Sequence, residues 1–218
     1  MRTIGKIATF AVSASLALTL GACGGSASSS SSSAASSSAS SSAASSSSSL
    51  SENTTGADYY ENKAFGINFR PLEGWTFTDI TTLNNSSSPI VSTANSDEID
   101  MVAASPDMKS AAIVAIVPPN DSNAGKTADQ VLKEQLEGMK TAFEQKKVDY
   151  TIEETEVTFE GLSRKLPGAV ITVKSDGQEI VMAQAVAESD GYFMEILVGA
   201  QDKDSINEVI NQFKAVAQ

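Results

Sequence analysis

The sequence predicts an α+β fold in which a mainly antiparallel sheet packs against two amphipathic helices. Short apolar segments rich in β-branched residues lie on both sides of one long helical stretch, and strands and helices do not alternate regularly. Asp176-Gly177 and Asp190-Gly191 separate the last three apolar segments. Asp-Gly favours tight antiparallel hairpins, because both central residues of such a turn need positive φ.

The first predicted elements are a hairpin or a bent strand pair. Residues 64–69 alternate apolar with small or polar side chains, residues 71–74 (Pro-Leu-Glu-Gly) supply a turn, and residues 75–77 resume the alternation. Trp75 is expected to be a core residue under the sheet. Residues 78–97 are rich in Thr, Asn and Ser, and they predict a loop with room for a short strand or helix.

The middle of the chain predicts two strands and the first helix. Residues 100–105 and 111–117 are apolar and are separated by a turn. Thr127 and Gln130 have the capping-box spacing, so a helix is expected to begin there and to end near Lys147. Its apolar positions recur every three or four residues and form one face: Ala128, Leu132, Leu136, Met139 and Phe143.

The last third predicts an antiparallel meander closed by a second helix. The predicted strands are residues 151–159, 169–174, 179–188 and 192–200, with an irregular Pro167-Gly168 between the first two. Ser205 and Glu208 have capping-box spacing and are expected to start the final helix. The apolar face of this helix would contain Ile206, Val209, Ile210, Phe213 and Val216.

Residues 1–22 have the pattern of an export signal. A charged start (Arg2, Lys6) precedes an apolar run over residues 7–20 and two small residues. The apolar run is shorter than the ~20 residues that a membrane-spanning helix needs. An ordinary secretory leader followed by an incidental cysteine is the competing interpretation.

Leu20-Gly21-Ala22-Cys23 resembles the lipobox of bacterial lipoproteins. This resemblance implies cleavage between Ala22 and Cys23 and attachment of a diacylglyceryl group to the Cys23 thiol, with further acylation, such as palmitate, at the new amino terminus. Gly21 departs from the commoner alanine or serine but is equally small. Two or more acyl chains hold a protein stably on a membrane.

Residues 23–56 are expected to form a disordered tether, and residues 57–218 a single domain. The 28 residues from 24 to 51 are almost entirely Ser, Ala and Gly, and such a segment has nothing to bury. As a flexible coil it would span about 30 Å. Whether its serines are glycosylated or simply solvated stays open.

Residues 59–216 resemble the PsbP-like superfamily, which includes bacterial lipoproteins of the DcrB and LpqN kind. The resemblance rests on Phe65-Gly66-Ile67, on Pro71-Leu72-Glu73-Gly74-Trp75 and on the order of the predicted elements. It implies an α/β sandwich and a role in assisting larger assemblies.

The residue types present exclude several kinds of chemistry. The chain has no histidine and a net charge of −12, and Cys23 is its only cysteine. Ser-His triads and histidine-ligated zinc sites are therefore impossible, and a polyanion is a poor match for nucleic acid. Gly125-Lys126-Thr127 precedes a predicted helix, but Asn120 stands where a phosphate-binding loop needs its first glycine. No cofactor or metal site is predicted.

Paired carboxylates are the remaining route to catalysis. Glycosidase chemistry needs two of them across a cleft. Carboxylate oxygens also bind calcium, but the spacing of Asp97, Glu98 and Asp100 is wrong for a calcium loop. Alternation places Glu195 with Phe193 and Leu197, partly buried near the final helix. The candidate carboxylates are Asp97, Glu98, Asp100, Asp107, Glu153, Glu154, Glu156 and Glu195.

The expected function is that of a lipid-anchored lipoprotein on the extracytoplasmic face of the cell membrane. We expect it to be a non-catalytic binding or accessory module with an envelope protein or glycan as partner. The alternatives are a carboxylate-dependent hydrolase of envelope polysaccharide and a carrier of a small solute or cation.

Overall fold

A computed structural model describes residues 53–56, 58–86, 96–175 and 178–216. The signal segment 1–22, Cys23 and the predicted tether as far as residue 52 lie outside the described residues. The described part is α+β and mainly antiparallel, as the sequence predicts, but it contains two sheets and three α-helices.

The larger sheet has seven strands in the order β4-β5-β6-β10-β9-β8-β7, and every neighbouring pair is antiparallel. Consecutive strands β7 to β10 form the predicted meander. The strands are β4 (Thr76–Phe77), β5 (Ile99–Ala104), β6 (Ala111–Val117), β7 (Asp149–Val157), β8 (Leu166–Ser175), β9 (Gln178–Ser189) and β10 (Tyr192–Ala200).

The smaller sheet has four short antiparallel strands in the order β1-β2-β3-β11. Its first strand precedes residue 57, where the sequence analysis places the start of the domain. The strands are β1 (Asn53–Thr55), β2 (Tyr60–Asn62), β3 (Ile67–Phe69) and β11 (Phe213–Ala215). The helices are α1 (Ile80–Asn85), α2 (Ala128–Lys146) and α3 (Lys203–Ile210), with a 3₁₀ turn at Ser96–Glu98.

The larger sheet lies between two layers. Side chains of successive residues in a strand point to opposite faces, and β10 separates the layers in this way. Phe193 and Leu197 face α2 and α1, on what we call the helical face, whereas Met194 and Ile196 face the smaller sheet and α3, on the inner face. The inner face holds the larger apolar cluster, which includes the buried Phe69, Phe159 and Phe213.

Helix α2 follows its sequence prediction closely. The Thr127 side chain accepts a hydrogen bond from the Gln130 backbone N–H, and Gln130 Oε1 accepts one from the Thr127 N–H at 2.9 Å, which completes the capping box. The helix ends at Lys147, whose φ of 54° is left-handed. Leu132, Leu136 and Phe143 are buried against strands β8 to β10. The apolar stripe thus fixes where α2 packs.

The hairpin between β9 and β10 is also confirmed. Asp190 and Gly191 have φ of 51° and 79°, as a two-residue turn of this kind requires. Asp176-Gly177 lies outside the described residues. Pro167-Gly168 is not irregular as predicted: both residues lie in β8 and pair with β7. A Cβ at Gly168 would come within 2.7 Å of the Gln184 carbonyl oxygen, so the glycine permits close strand contact.

The predicted pairing of residues 64–69 with 75–77 is wrong. Strand β3 pairs with β2 and β11, while β4 pairs with β5 in the other sheet. The turn at Leu72 to Trp75, closed by a 3.0 Å backbone hydrogen bond, therefore carries the chain from one sheet to the other. Trp75 is partly buried against the inner-face cluster, not fully enclosed.

The predicted final helix is wrong at both ends. Asp202, not Ser205, caps α3, since its carboxylate accepts a hydrogen bond from the Ser205 N–H at 2.8 Å. The helix stops at Ile210, and Phe213 lies in β11, paired with Phe69 of β3. Ile206 and Val209 are buried as expected. Strand pairing with β3 overrides the helical periodicity, and Phe213 is completely buried in the strand.

Candidate functional site

A small cleft lies where β4 ends and α1 begins, beside the first residues of β5. Its volume is about 240 Å³, below the roughly 300–1,000 Å³ of pockets that enclose a whole small-molecule ligand. Apolar side chains form much of the wall, and two carboxylates lie among them. The lining residues are Thr55, Phe77, Thr78, Asp79, Ile80, Ile99, Asp100, Met101 and Val102.

A β-bulge positions Asp100 in this cleft. Ile99 pairs with Ala115 of β6 and Met101 pairs with Val114, so Asp100 is an extra residue in β5. A bulge of this kind re-aims a side chain that strict alternation would place elsewhere. Met101 packs in the inner-face cluster, and the carboxylate of Asp100 reaches Tyr60 of the smaller sheet. Asp100 therefore joins the two sheets at the cleft.

Two buried side chains of β2 donate to Asp100. The Tyr60 hydroxyl donates to Asp100 Oδ2 at 2.6 Å, and Asn62 Nδ2 lies 3.5 Å from the same oxygen. Tyr60 and Asn62 are both completely buried. Burial, followed by the nearby Asp100 charge, raises the pKa of the Tyr60 phenol. The phenol consequently remains a donor across the physiological pH range.

Asp79, the second carboxylate of the cleft, caps α1. Its side chain accepts hydrogen bonds from the Thr82 backbone N–H at 2.7 Å and from the Thr82 hydroxyl at 2.9 Å. These bonds lower the pKa of Asp79, the backbone bond most strongly. Asp79 is therefore ionised at neutral pH and does not have the proton that a general acid needs.

We expect Tyr60→Phe to lower the free energy of unfolding by about 1.5–3 kcal/mol, the usual contribution of a hydrogen bond to a charged group. The ring keeps its packing, but Asp100 loses the Tyr60 donor. Urea unfolding at pH 7 measures the change. Tyr59→Phe, at the adjacent and only half-buried tyrosine, is the matched control. Equal small effects in both variants would show that the Tyr60–Asp100 bond contributes little.

Glu195 is partly buried on the helical face, together with Phe193 and Leu197, as the alternation predicts. The helix beside it is α2, however, and not the final helix, which lies on the other face. Gln135 Nε2 of α2 donates to Glu195 Oε1. Burial raises the pKa of Glu195 to about 7, the Gln135 hydrogen bond opposes this rise, and the charge of Glu98 adds to it.

Two glutamines extend the polar contact of Glu195 under α2. Gln184 of β9 donates through Nε2 to Gln135 Oε1 at 2.5 Å. The side chain of Gln184 is buried, and its Oε1 accepts no hydrogen bond from the described residues. A three-residue polar chain thus crosses an otherwise apolar contact between helix and sheet.

The other candidate carboxylates are dispersed. Asp107 caps a tight turn through Ser105 Oγ and the Lys109 N–H, and the glutamates of β7 are exposed on the edge of the larger sheet. Within the described residues, no group of three or more Asp, Glu, His or Cys side chains could hold a metal ion. The candidates placed on β7 are Glu153, Glu154 and Glu156, and those in the 3₁₀ turn are Asp97 and Glu98.

Gly125-Lys126-Thr127 is a loop that leads into a helix cap, as the sequence analysis concludes. Thr127 is the N-cap of α2, and the Lys126 ammonium lies 2.5 Å from the carboxylate of Glu134. None of the helices in the described segments has the length and apolar character needed to cross a bilayer.

No protein-family model matches the chain, and no curated protein matches its sequence. Several solved structures have similar folds. PsbP (CyanoP) from Synechocystis is 14% identical with a TM-score of 0.44, covering 72% of this chain and 91% of its own. The Ran-binding protein Mog1p of Saccharomyces cerevisiae is 12% identical with a TM-score of 0.41, covering 75% and 97%.

LpqN, involved in cell envelope biogenesis of Mycobacterium tuberculosis, is 15% identical with a TM-score of 0.34, covering 68% of this chain and 82% of its own. Residues 59–216 are expected from the sequence to be PsbP-like, and PsbP and LpqN are both among these structural neighbours. TM-scores and sequence identities of this size show nothing about function. The α+β class rests on the strand order and helices described above.

Proposed function

We propose that this chain is a lipid-anchored, non-catalytic binding or accessory module on the extracytoplasmic face of a bacterial cell membrane. Its partner would be an envelope protein or glycan. The acidic net charge of −12 is unsuited to nucleic acid.

The amino-terminal sequence supports the anchor. Leu20 to Cys23 resembles a lipobox at the end of an export signal, and a Ser/Ala-rich segment follows at once. Acyl chains on Cys23 would hold the protein at the bilayer. The segment after Cys23 would let the folded domain work on the order of 30 Å away from the membrane.

The non-catalytic assignment rests on the hydrogen bonds that the two cleft carboxylates make. Asp100 accepts hydrogen bonds that join the two sheets, and Asp79 accepts those that begin α1. A glycosidase needs one carboxyl group that holds a proton and a second that is ionised. Asp79 does not supply the first, and Asp100 is held in place by β2, so the pair supports recognition better than hydrolysis.

Recovery of a partner from detergent-solubilised envelopes tests the proposal. The full chain, a Thr55→Arg variant and a Thr151→Arg variant would each be tagged and used as bait. Thr55 is exposed at the cleft, and Thr151 is exposed on β7, the outer strand of the larger sheet. The two variants therefore make the same substitution on edge strands at different sites.

We expect the full chain and Thr151→Arg to retain the same envelope protein or glycan, and Thr55→Arg to lose most of it. Retention by all three would place binding away from the cleft. If none retains a partner and the chain releases reducing sugar from envelope polysaccharide, the hydrolase alternative replaces the proposal.

A further inference from the structure

Glu195 lies between two apolar clusters on the helical face. Phe193 belongs to the cluster under α2, and Leu197 to the cluster under α1. In the neighbouring strands, the paired residues are Ala115 of β6 and Val186 of β9. These side chains offer Glu195 no hydrogen bond. Its hydrogen-bond donor among the described residues is Gln135 of α2.

The ionised form of this arrangement has more acceptors than donors. Gln184 donates to Gln135, and Gln135 donates to Glu195. A carboxylate only accepts, and Gln184 Oε1, in a side chain that is 7% exposed, accepts nothing from the described residues. Buried acceptors without donors are destabilising. Movement of α2 away from the sheet would let more water reach these acceptors and supply donors.

Protonation removes the charge and keeps the chain of hydrogen bonds. A protonated Glu195 donates its O–H to Gln135 Oε1, and Gln135 Nε2 then donates to Gln184 Oε1. Both amides reach this arrangement by rotating about their terminal torsion, which exchanges oxygen and nitrogen. The Gln184 amide oxygen then has a donor, while its Nε2 gives up the acceptor that Gln135 supplied. The number of hydrogen bonds is therefore unchanged, and the gain on protonation is that no charge remains beneath the helix.

We infer that Glu195 is a proton-operated latch for α2: the protonated carboxyl group clamps the helix onto the sheet through Gln135 and Gln184, and ionisation loosens it. The device needs no ligand other than the proton, and it is independent of the function proposed for the cleft.

The groups around Glu195 determine the direction of the switch. The charge of Glu98, from the 3₁₀ turn, acts on Glu195, and a like charge favours the protonated form of Glu195. The groups that face Glu195 from α2, β9 and β6 are Gln135, Gln184, Val186 and Ala115, and none of them titrates. With its pKa raised to about 7, Glu195 holds its proton in mildly acidic solution and loses it above neutrality.

Hydrogen exchange of the α2 backbone amides tests the latch in the full chain. Exchange would be followed between pH 5 and pH 8 and corrected for the pH dependence of the chemical exchange rate. We expect protection of the amides around Gln135 to fall by about 50- to 100-fold over this range, since each unit of pKa shift is a factor of ten in the opening equilibrium. Glu195→Gln should abolish this fall.

Glu154→Gln is the matched control, because Glu154 is exposed on β7 and acts on Lys133 and Lys140 of the same helix. It should keep the pH dependence of the wild type. A wild-type α2 whose protection does not change with pH would overturn the inference, as would a Glu195→Gln variant that keeps the change.

A second variant separates the latch from a general effect of pH on the fold. In Gln135→Leu the carboxyl group should still titrate, which carbon-13 NMR of the glutamate side chains detects, but α2 protection should no longer follow that titration. If α2 still follows the titration of Glu195 in this variant, Gln135 is not the link and the inference is wrong.

Discussion

Phe213→Ala is expected to lower the free energy of unfolding by about 3–5 kcal/mol, the range for removing a large aromatic side chain from a core. Phe213 is completely buried, with its ring centroid 4.5 Å from that of Phe69 and 5.3 Å from that of Phe159. These three rings join β11, β3 and the segment after β7. The cavity left by alanine would therefore weaken the contact between the smaller sheet and the rest of the fold.

Urea unfolding of Phe213→Ala measures this effect, with Lys214→Ala as the matched control in the same strand. The Lys214 side chain is exposed and pairs with Glu160 at the surface, where solvent screens such pairs and they contribute little to stability. A loss below about 1 kcal/mol for Phe213→Ala would contradict the placement of this residue in the core.

Glu195→Gln is expected to stabilise the protein at pH 8 by about 3 kcal/mol and to have little effect near pH 4. Burial raises the pKa of Glu195 from 4.5 to about 7 in the folded state, and each unit is worth about 1.4 kcal/mol. Below pH 4.5 both states are protonated. Between pH 4.5 and 7 only the folded state holds the proton, so the stability contributed by this group falls as pH rises and is fully lost above about pH 7.

The direction of this pH dependence is tested by measuring the free energies of unfolding of wild type and Glu195→Gln at half-unit pH intervals. The difference between the two proteins should grow from about pH 4.5 and level off above pH 7. Glu154→Gln should follow the wild type throughout. A Glu195→Gln variant that is destabilised at pH 8 would mean that the ionised carboxylate is stabilised in the fold, contrary to its surroundings.

The sequence predicts the elements whose signals are local. The capping box at Thr127 and Gln130 and the Asp190-Gly191 turn each depend on residues within a few positions of one another, and both are found as expected. The division into two sheets depends instead on the pairing of Phe213 with Phe69. Such a distant contact leaves no periodic signal, so the local sequence of residues 205–216 predicts a continued helix.

The candidate site was harder to predict for the same reason. The sequence identifies Glu195 as a carboxylate in an apolar strand and Asp100 as one acid among several. The bulge that aims Asp100 at Tyr60 is a property of the pairing between β5 and β6. Gln135 did leave a signal: it lies three residues after Leu132 and four before Met139, so it is a polar residue on the apolar stripe of α2.

Mass spectrometry of the mature amino-terminal peptide, purified from the native membrane, tests the central claim most directly. Attachment at the membrane requires that the protein begin at Cys23 and that this residue carry the acyl chains. The account predicts a first residue of Cys23 with a diacylglyceryl thioether and no trace of residues 1–22. An unprocessed amino terminus, or a Cys23 with a free thiol, would contradict it.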